Sequence, residues 1–177
     1  MKTAGFSLPE VVMAMAIGSV LMISVGRFLP LLQGENLRLQ QRAQLQQELR
    51  QMMMTLEKAV RRAGYCKGQC SGSGLTVAAQ GRCLLVKWDE NSNGKWEEAA
   101  HEESEAYGYR LRQQQIEMQR GVTRCDGEGW EKLSDPAFLH IETFQIQREG
   151  RLIKMQLGGR AGREQAALES WVESENL

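Results

Sequence analysis

The stretch Gly5-Phe6-Ser7-Leu8-Pro9-Glu10-Val11-Val12-Met13-Ala14-Met15-Ala16-Ile17 opens an apolar run that reaches residue 25 with no further charge. Its one acidic side chain, Glu10, stands at the start of that run. Lipid cannot solvate a carboxylate, and a charge held near the centre of a membrane helix costs roughly 2.5–3.5 kcal/mol. A chain that keeps Glu10 there must give it a partner. Cutting the Gly5–Phe6 bond would make one, the terminal ammonium of Phe6. Apolar character continues through Phe28 and Leu29, and a bilayer span needs about 20 residues. Residues 1–5 therefore read as a polar leader and 6–29 as a transmembrane helix. Lys2 marks the cytoplasmic side, and Arg27 can snorkel to the opposite headgroups.

Two plainer readings compete for this segment. A secretory signal peptide would use Lys2 as its positive region and Ser24-Val25-Gly26 as its cleavage site. Glu10 and the apolar residues Phe28, Leu29, Leu31 and Leu32 argue against it. A simple membrane anchor explains the hydrophobicity but neither Gly5 nor Glu10.

Beyond the span, residues 30–64 read as an amphipathic continuation of the same helix. Pro30 is expected to kink or loosen it. Leu45, Leu49, Met52, Leu56, Ala59 and Ala63 recur at spacings of four and three, while Gln40, Gln41, Gln44, Gln47 and Arg50 fill other faces. The stripe is short for a coiled coil. Its alanines and methionines suit packing on a sheet, with the methionines at 52–54 as core filler. Gly64 is a good helix stop.

The remaining residues, 65–177, change to a β-type period broken by turns. Residues 83–88 form the clearest strand. Residues 107–112 and 115–119 read as a pair, as do 141–148 and 152–157 around Glu149-Gly150. Residues 75–78 and 168–172 are weaker strands, and 158–163 reads as a mobile connection. The expected fold is α+β, a long helix packed on an antiparallel sheet.

Lys plus Arg equals Asp plus Glu, 22 each, so no global field attracts nucleic acid. Charge is local: residues 97–105 are acidic, while Arg61, Arg62 and Lys67 are basic. All four cysteines follow the apolar segment, as expected of a domain in an oxidising compartment with two disulfides.

The glycine, phenylalanine and glutamate before an apolar helix resemble the processing site of type IV prepilins and type II secretion pseudopilins. Further along, Ala63-Gly64-Tyr65-Cys66 with Cys70, then Gly81 and Cys83, extend the likeness. So do Trp88-Asp89, Asn91-Ser92-Asn93-Gly94, Trp96, Cys125, Gly129-Trp130, Asp135 and Thr143-Phe144-Gln145. Together they resemble minor pilins similar to the J-type minor pseudopilins. That resemblance implies a type IV pilin-like fold, cleavage after Gly5 and N-methylation of Phe6 by the prepilin peptidase. It implies that Glu10 aligns against a neighbouring subunit's terminus, and that the chain primes or caps a fibre, either a type IV pilus or a secretion pseudopilus. The implied partners are the peptidase, other minor pilins, the major pilin, the assembly platform and membrane lipid. The implied location is the bacterial inner membrane, single-pass, with the N-terminus cytoplasmic and residues 65–177 periplasmic.

Four cysteines allow three connectivities. The favoured pairing is Cys66–Cys70, with Gly68 permitting a tight loop, together with Cys83–Cys125. A redox pair is disfavoured because the spacing is not Cys-x-x-Cys. Zinc is disfavoured because His101 and His140 lack ligand spacing. Asp89-x-Asn91-x-Asn93-Gly94 matches the first half of a calcium loop. Its ligands would be Asp89, Asn91, Asn93 and the Lys95 carbonyl. The twelfth position is Ala100 rather than a glutamate, so Glu97, Glu98, Glu102 or Glu103 would have to substitute. An Asx-rich turn is the competing reading. The sequence holds no nucleophile motif, phosphate loop or His–carboxylate set, so no enzyme is expected. Trp88, Trp96, Trp130 and Trp171 read as core or rim residues, with a ligand surface as the alternative. The rival function is a membrane-anchored periplasmic binding module, calcium-responsive or adhesive, outside any fibre.

Overall fold

A computed structural model describes residues 7–177. The expected cleavage and methylation positions, Gly5 and Phe6, lie outside the described residues. Helix α1 spans Leu8–Arg62, 55 residues, with Pro30 inside it. The chain divides into two compact units, residues 1–40 and 41–177.

Among the described residues of the first unit, the helix buries no side chain. Val12, Met13, Ile17, Val20, Met22 and Phe28 are all exposed. This is the one described helix long and apolar enough to cross a membrane. A continuous apolar surface of that length is unfavourable in water, because its transfer to an apolar phase is worth roughly 25 cal/mol per Å².

In the second unit the helix turns amphipathic and dry on one side. Leu45, Leu49, Met52, Leu56, Ala59 and Ala63 are buried, as the four-and-three spacing predicts, and Met53 and Val60 widen the stripe. Met54 points outward and is half exposed. The stripe packs on strands and not on a second helix, which decides between sheet packing and a coiled-coil seam.

Eight strands follow: β1 Leu75–Ala78, β2 Cys83–Lys87, β3 Ala106–Arg112, β4 Gln115–Arg120, β5 Glu131–Lys132, β6 His140–Glu149, β7 Leu152–Ala161 and β8 Glu164–Glu173. They form two antiparallel sheets, β1-β2-β3-β4-β5 and β6-β7-β8. Leu75, Leu84, Val86, Tyr109 and Ile116 of the first sheet join Ile141, Ile146, Ile153, Met155, Leu157 and Val172 of the second in one core with the helix stripe. Alternation places these side chains on one face of each strand.

Polar ties hold the sheets in register with each other. Gln115, buried between them, donates from Nε2 to the Leu139 carbonyl at 2.7 Å and accepts from Ser134 Oγ at 2.8 Å. Gln145 Nε2 reaches the Gln80 carbonyl at 2.8 Å. That reach passes over Gly81 (φ +88°), where a Cβ would lie 2.7 Å from the Ile146 carbonyl oxygen. The C-terminal residues return to the helix end: Ser174 Oγ donates to the Ala63 carbonyl, and Asn176 Nδ2 to that of Arg61. These two carbonyls are among those a helix leaves without internal partners.

One expectation is corrected. Residues 158–163 are not a mobile connection. Strand β7 runs on to Ala161, with Gly158 facing Thr143 and Ala167, and Gly159 facing Ile141 and Ala166. The glycines mark close approach: a Cβ on Gly159 would stand 2.9 Å from the His140 carbonyl oxygen, beside the bulge in β6 between Ile141 and Thr143. Strand β5 and the short 3-10 turn at Ala79–Gly81 carry no apolar period and escaped sequence reading.

Gly159→Ala is expected to lower stability by about 1–3 kcal/mol, the usual cost of overpacking. Urea denaturation of the detergent-solubilised chain measures it. A free linker would tolerate the extra methyl group.

Candidate functional site

The first candidate feature is the start of α1. Ser7 stands just before the helix, and its carbonyl accepts from Glu10 N at 3.0 Å and Val11 N at 3.2 Å. Glu10 sits three residues in, where its Oε2 accepts from Ser7 N and Ser7 Oγ, both at 3.5 Å. This is half of a capping box, Ser-x-x-Glu. Pro9 lies in the first turn, where a helix needs no backbone donor. A carboxylate there also meets the positive end of the helix dipole, worth typically 0.3–1 kcal/mol. At 3.5 Å both bonds are at the outer limit of useful geometry. Glu10 is exposed and stays open to a stronger cationic partner. Sequence reading singled out Glu10 for its charge but missed the cap, although Ser7-x-x-Glu10 is its signature.

The second feature is a pair of loops behind the helix end. Gly64 (φ +84°) stops the helix, and its N–H donates to the Lys87 carbonyl at 2.8 Å. The next residues meet the loop after β2. Asp89 N and Trp96 Nε1 both donate to the Tyr65 carbonyl at 2.9 Å. Cys66 and Cys70 are bridged, and so are Cys83 and Cys125. The small bridge brings Gly68 against Gly94, so close that a Cβ on Gly68 would lie 2.6 Å from the Gly94 carbonyl oxygen.

Asp89 joins these loops. It is buried, and it accepts from Lys67 N and Gly94 N through Oδ2 and from Asn93 N through Oδ1, each at 2.9 Å. Asn91 Oδ1 accepts from Asn93 N, and Asn93 Oδ1 accepts from Lys95 N. All four positions proposed as a calcium set thus fall in one loop. Their side-chain oxygens are already engaged by backbone N–H groups, the pattern of an Asx-rich turn. A cation at the loop's centre would compete with those bonds. Burial pulls the Asp89 carboxyl up, but the N–H groups of Lys67, Gly94, Asn93 and Ser92 outweigh it and hold the group below the usual carboxylate range.

Two glutamates lie against this turn. Glu97 Oε1 accepts from Asn93 Nδ2 at 2.6 Å. Glu105 Oε1 accepts from Glu90 N at 2.6 Å and Asn91 N at 3.1 Å. The Asn93 amide holds the Glu97 carboxyl down; burial pushes the Glu105 carboxyl up, and the adjacent Glu97 adds to that. Glu105 was not distinguishable in the sequence, where it ends a run that reads as solvated acid.

The tryptophans do not form one ligand surface. Trp88 is buried and stacks on Tyr107 at 4.2 Å, Trp96 bonds Tyr65, Trp130 lies under the Arg110 guanidinium at 4.2 Å, and Trp171 is half exposed beside Lys154. A cleft of about 580 Å³ opens over the Cys83–Cys125 bridge. Its Arg110 is committed to Glu117 at 2.8 Å and to the Cys125 carbonyl at 2.8 Å.

Comparison with known proteins follows these features along the chain. A family model described as prepilin peptidase-dependent protein B matches residues 38–174. A second, described as the prokaryotic N-terminal methylation motif, matches residues 1–26. The chain is 45% identical over 148 residues to prepilin peptidase-dependent protein B of Escherichia coli (strain K12), covering 84% of this chain and 79% of that protein. No solved structure matches the chain.

Asp89→Asn tests the loop junction. A carboxyl held low in the fold adds stability that is present above the ordinary titration near pH 4 and is lost as pH falls through the lower native value. The variant is expected to have a lower urea midpoint than the parent at pH 7. That gap should narrow below about pH 4. Midpoints measured across pH check it; a gap independent of pH would contradict the charge-based account.

Proposed function

We propose a function that proceeds from one fact: the chain belongs to the prepilin peptidase-dependent protein B family. In this reading the chain is a minor pilin, anchored in the bacterial inner membrane by residues 6–29. Its N-terminus is cytoplasmic and residues 65–177 are periplasmic. The prepilin peptidase removes residues 1–5 and N-methylates Phe6. The mature subunit then joins other minor pilins to prime or cap a fibre that the major pilin extends from the assembly platform. The fibre is a type IV pilus or a type II secretion pseudopilus.

The observation that carries this reading is the combination at the chain's start. A methylation motif matches residues 1–26 and so includes the start of a helix whose apolar residues there are exposed. Glu10, the one carboxylate of the apolar run up to residue 25, has two 3.5 Å bonds to Ser7 among the described residues. A weakly held carboxylate in lipid favours a neighbour's N-terminal ammonium, since leaving a buried charge unpaired costs about 3–5 kcal/mol. That cost selects the register in which subunits stack, while apolar helix surfaces supply adhesion. Two disulfides suit a periplasmic domain. The chain's role in this reading is structural and not enzymatic.

Intact mass of the membrane protein made with and without the peptidase tests processing. The expected change is loss of residues 1–5 and gain of one methyl group; a native chain that starts at Met1 overturns the reading. Glu10→Ala is expected to be cut normally yet to enter fibres at least about tenfold less, the change that 1.4 kcal/mol produces. Quantitative blotting of sheared fibres measures it. Unchanged assembly, with activity lost instead on altering Asp89, would favour a tethered binding module.

A further inference from the structure

The last turns of α1 leave part of the sheet beneath them uncovered. Thr55, Lys58 and Arg62 stand along one helix face, at spacings of three and four. On the sheet side, Tyr107 and Tyr109 share a face by alternation, and Met118 of β4 is opposite Tyr109. Trp88, just after β2, stacks on Tyr107 at 4.2 Å. Between helix and sheet runs a groove of about 250 Å³. It adjoins a second cleft of about 310 Å³, with Arg62, Trp88 and Glu90 lining both.

The walls hold donors that the fold does not use. Tyr109 is 4% exposed and Trp88 6%. Neither the Tyr109 hydroxyl nor Trp88 Nε1 has a hydrogen-bond partner among the described residues. The sealed side-chain polar atoms that lack a partner belong to Glu97 and Glu105, so both of these donors open onto the clefts they line. Native folds rarely leave such deeply placed donors idle. Burial pushes the Tyr109 hydroxyl up to about 12, with the Arg62 charge opposing it, so it carries its proton at neutral pH.

Charge at the rim is one-sided. Lys58 and Arg62 are exposed, and neither pairs with a carboxylate among the described residues. The Arg62 guanidinium approaches the Trp88 ring at 5.9 Å. The one acid lining the groove, Glu90, is already engaged. It accepts from the Tyr107 hydroxyl at 2.7 Å, and Arg120 stands 3.7 Å from it. An occupant must therefore bring negative charge and acceptors. Ala59 and Met118 add apolar wall, which suits a charge on a hydrocarbon stem better than a fully hydrated inorganic anion. Two adjoining clefts also give more room than one small anion fills.

We propose that this groove binds an acidic side chain, Asp or Glu, presented by an extended segment of another polypeptide. Lys58 and Arg62 supply the charge, Tyr109 and Trp88 the hydrogen bonds, and Ala59 and Met118 the surface for the stem. The site lies wholly within residues 41–177 and does not depend on the fibre role.

The test uses the full chain in an uncharged detergent, titrated against a dye-labelled, capped Ala-Glu-Ala-Glu-Ala peptide and followed by anisotropy. Saturable binding is expected with Kd at or below about 1 mM, weakening as salt is raised. The same peptide with Gln for Glu should bind at least about tenfold less, the equivalent of 1.4 kcal/mol. Lys58→Gln combined with Arg62→Gln should lose the same factor with Tm held, because both side chains are exposed. Tyr109→Phe removes a hydroxyl that no protein group uses. It should weaken peptide binding several-fold and leave Tm unchanged or raised. Absence of saturable binding overturns the proposal, as does equal binding of the Gln peptide or undiminished binding by the double variant. A Tyr109→Phe chain that melts earlier would assign the hydroxyl to the fold and overturn it too. Displacement of the peptide by an equal concentration of inorganic phosphate would make a free anion the occupant, again against the proposal.

Discussion

The folded domain depends on keeping one stripe of α1 dry. Leu45, Leu49, Leu56, Val60 and Ala63 are fully buried, and neither sheet alone could cover them. Each sheet contributes one apolar face, and the helix is the shared third side of the core. Truncating any of these leucines to alanine would remove transfer free energy and leave a cavity, together worth about 2–5 kcal/mol. The rest of the architecture serves that contact. Gln115, Gln145 and the C-terminal residues are polar fasteners that hold the sheets and the helix end in place. Gly81 and Gly159 are glycine because backbone or side chain passes where a Cβ would be.

Much of this was legible because it is periodic. The four-and-three spacing of the stripe identified the buried face of the helix, and Gly64 its end. Alternation located five of the eight strands within a few residues and marked β1 and β8 weakly. What stayed hidden lacks a period. Strand β5 is two residues long and exposed, and it exists only because β4 offers it a free edge. Gly158 and Gly159 looked like a hinge, since a glycine pair has the same appearance whether it confers freedom or permits contact. Only the partner strands distinguish the two. Pro30, expected as a point of weakness, lies within α1.

The site divides in a similar way. Asp89, Asn91 and Asn93 were conspicuous because alternate oxygens followed by glycine form a known local pattern. The pattern itself does not say whether those oxygens face an ion or the chain's own N–H groups. Here they face the chain, tying the loop after β2 to the bridged loop at Cys66–Cys70. Glu105 was invisible because its role comes from burial and from a neighbour eight positions away, neither of which residue type reveals. The two disulfides are intermediate. Cys66 and Cys70 are near enough in sequence to suggest themselves, while Cys83 and Cys125 meet only after β3 and β4 are in place.

One physical rule links the two ends of the molecule's chemistry. A carboxylate removed from bulk water must find positive charge or donors, and the strength of what it has shows whether something is missing. Asp89 has three backbone donors and needs nothing more. Glu10 has two contacts at the limit of bonding distance. Glu97 and Glu105 each have one satisfied oxygen and one without a donor. The acids therefore form a series, from complete through weakly held to half complete. In the fibre reading the shortfall at Glu10 is met by an ammonium from another subunit, so it acts between chains. The open oxygens of Glu97 and Glu105 lie inside one domain, against the loop after β2. In that reading Glu10 acts between chains, whereas the acids behind the helix end act within their own domain.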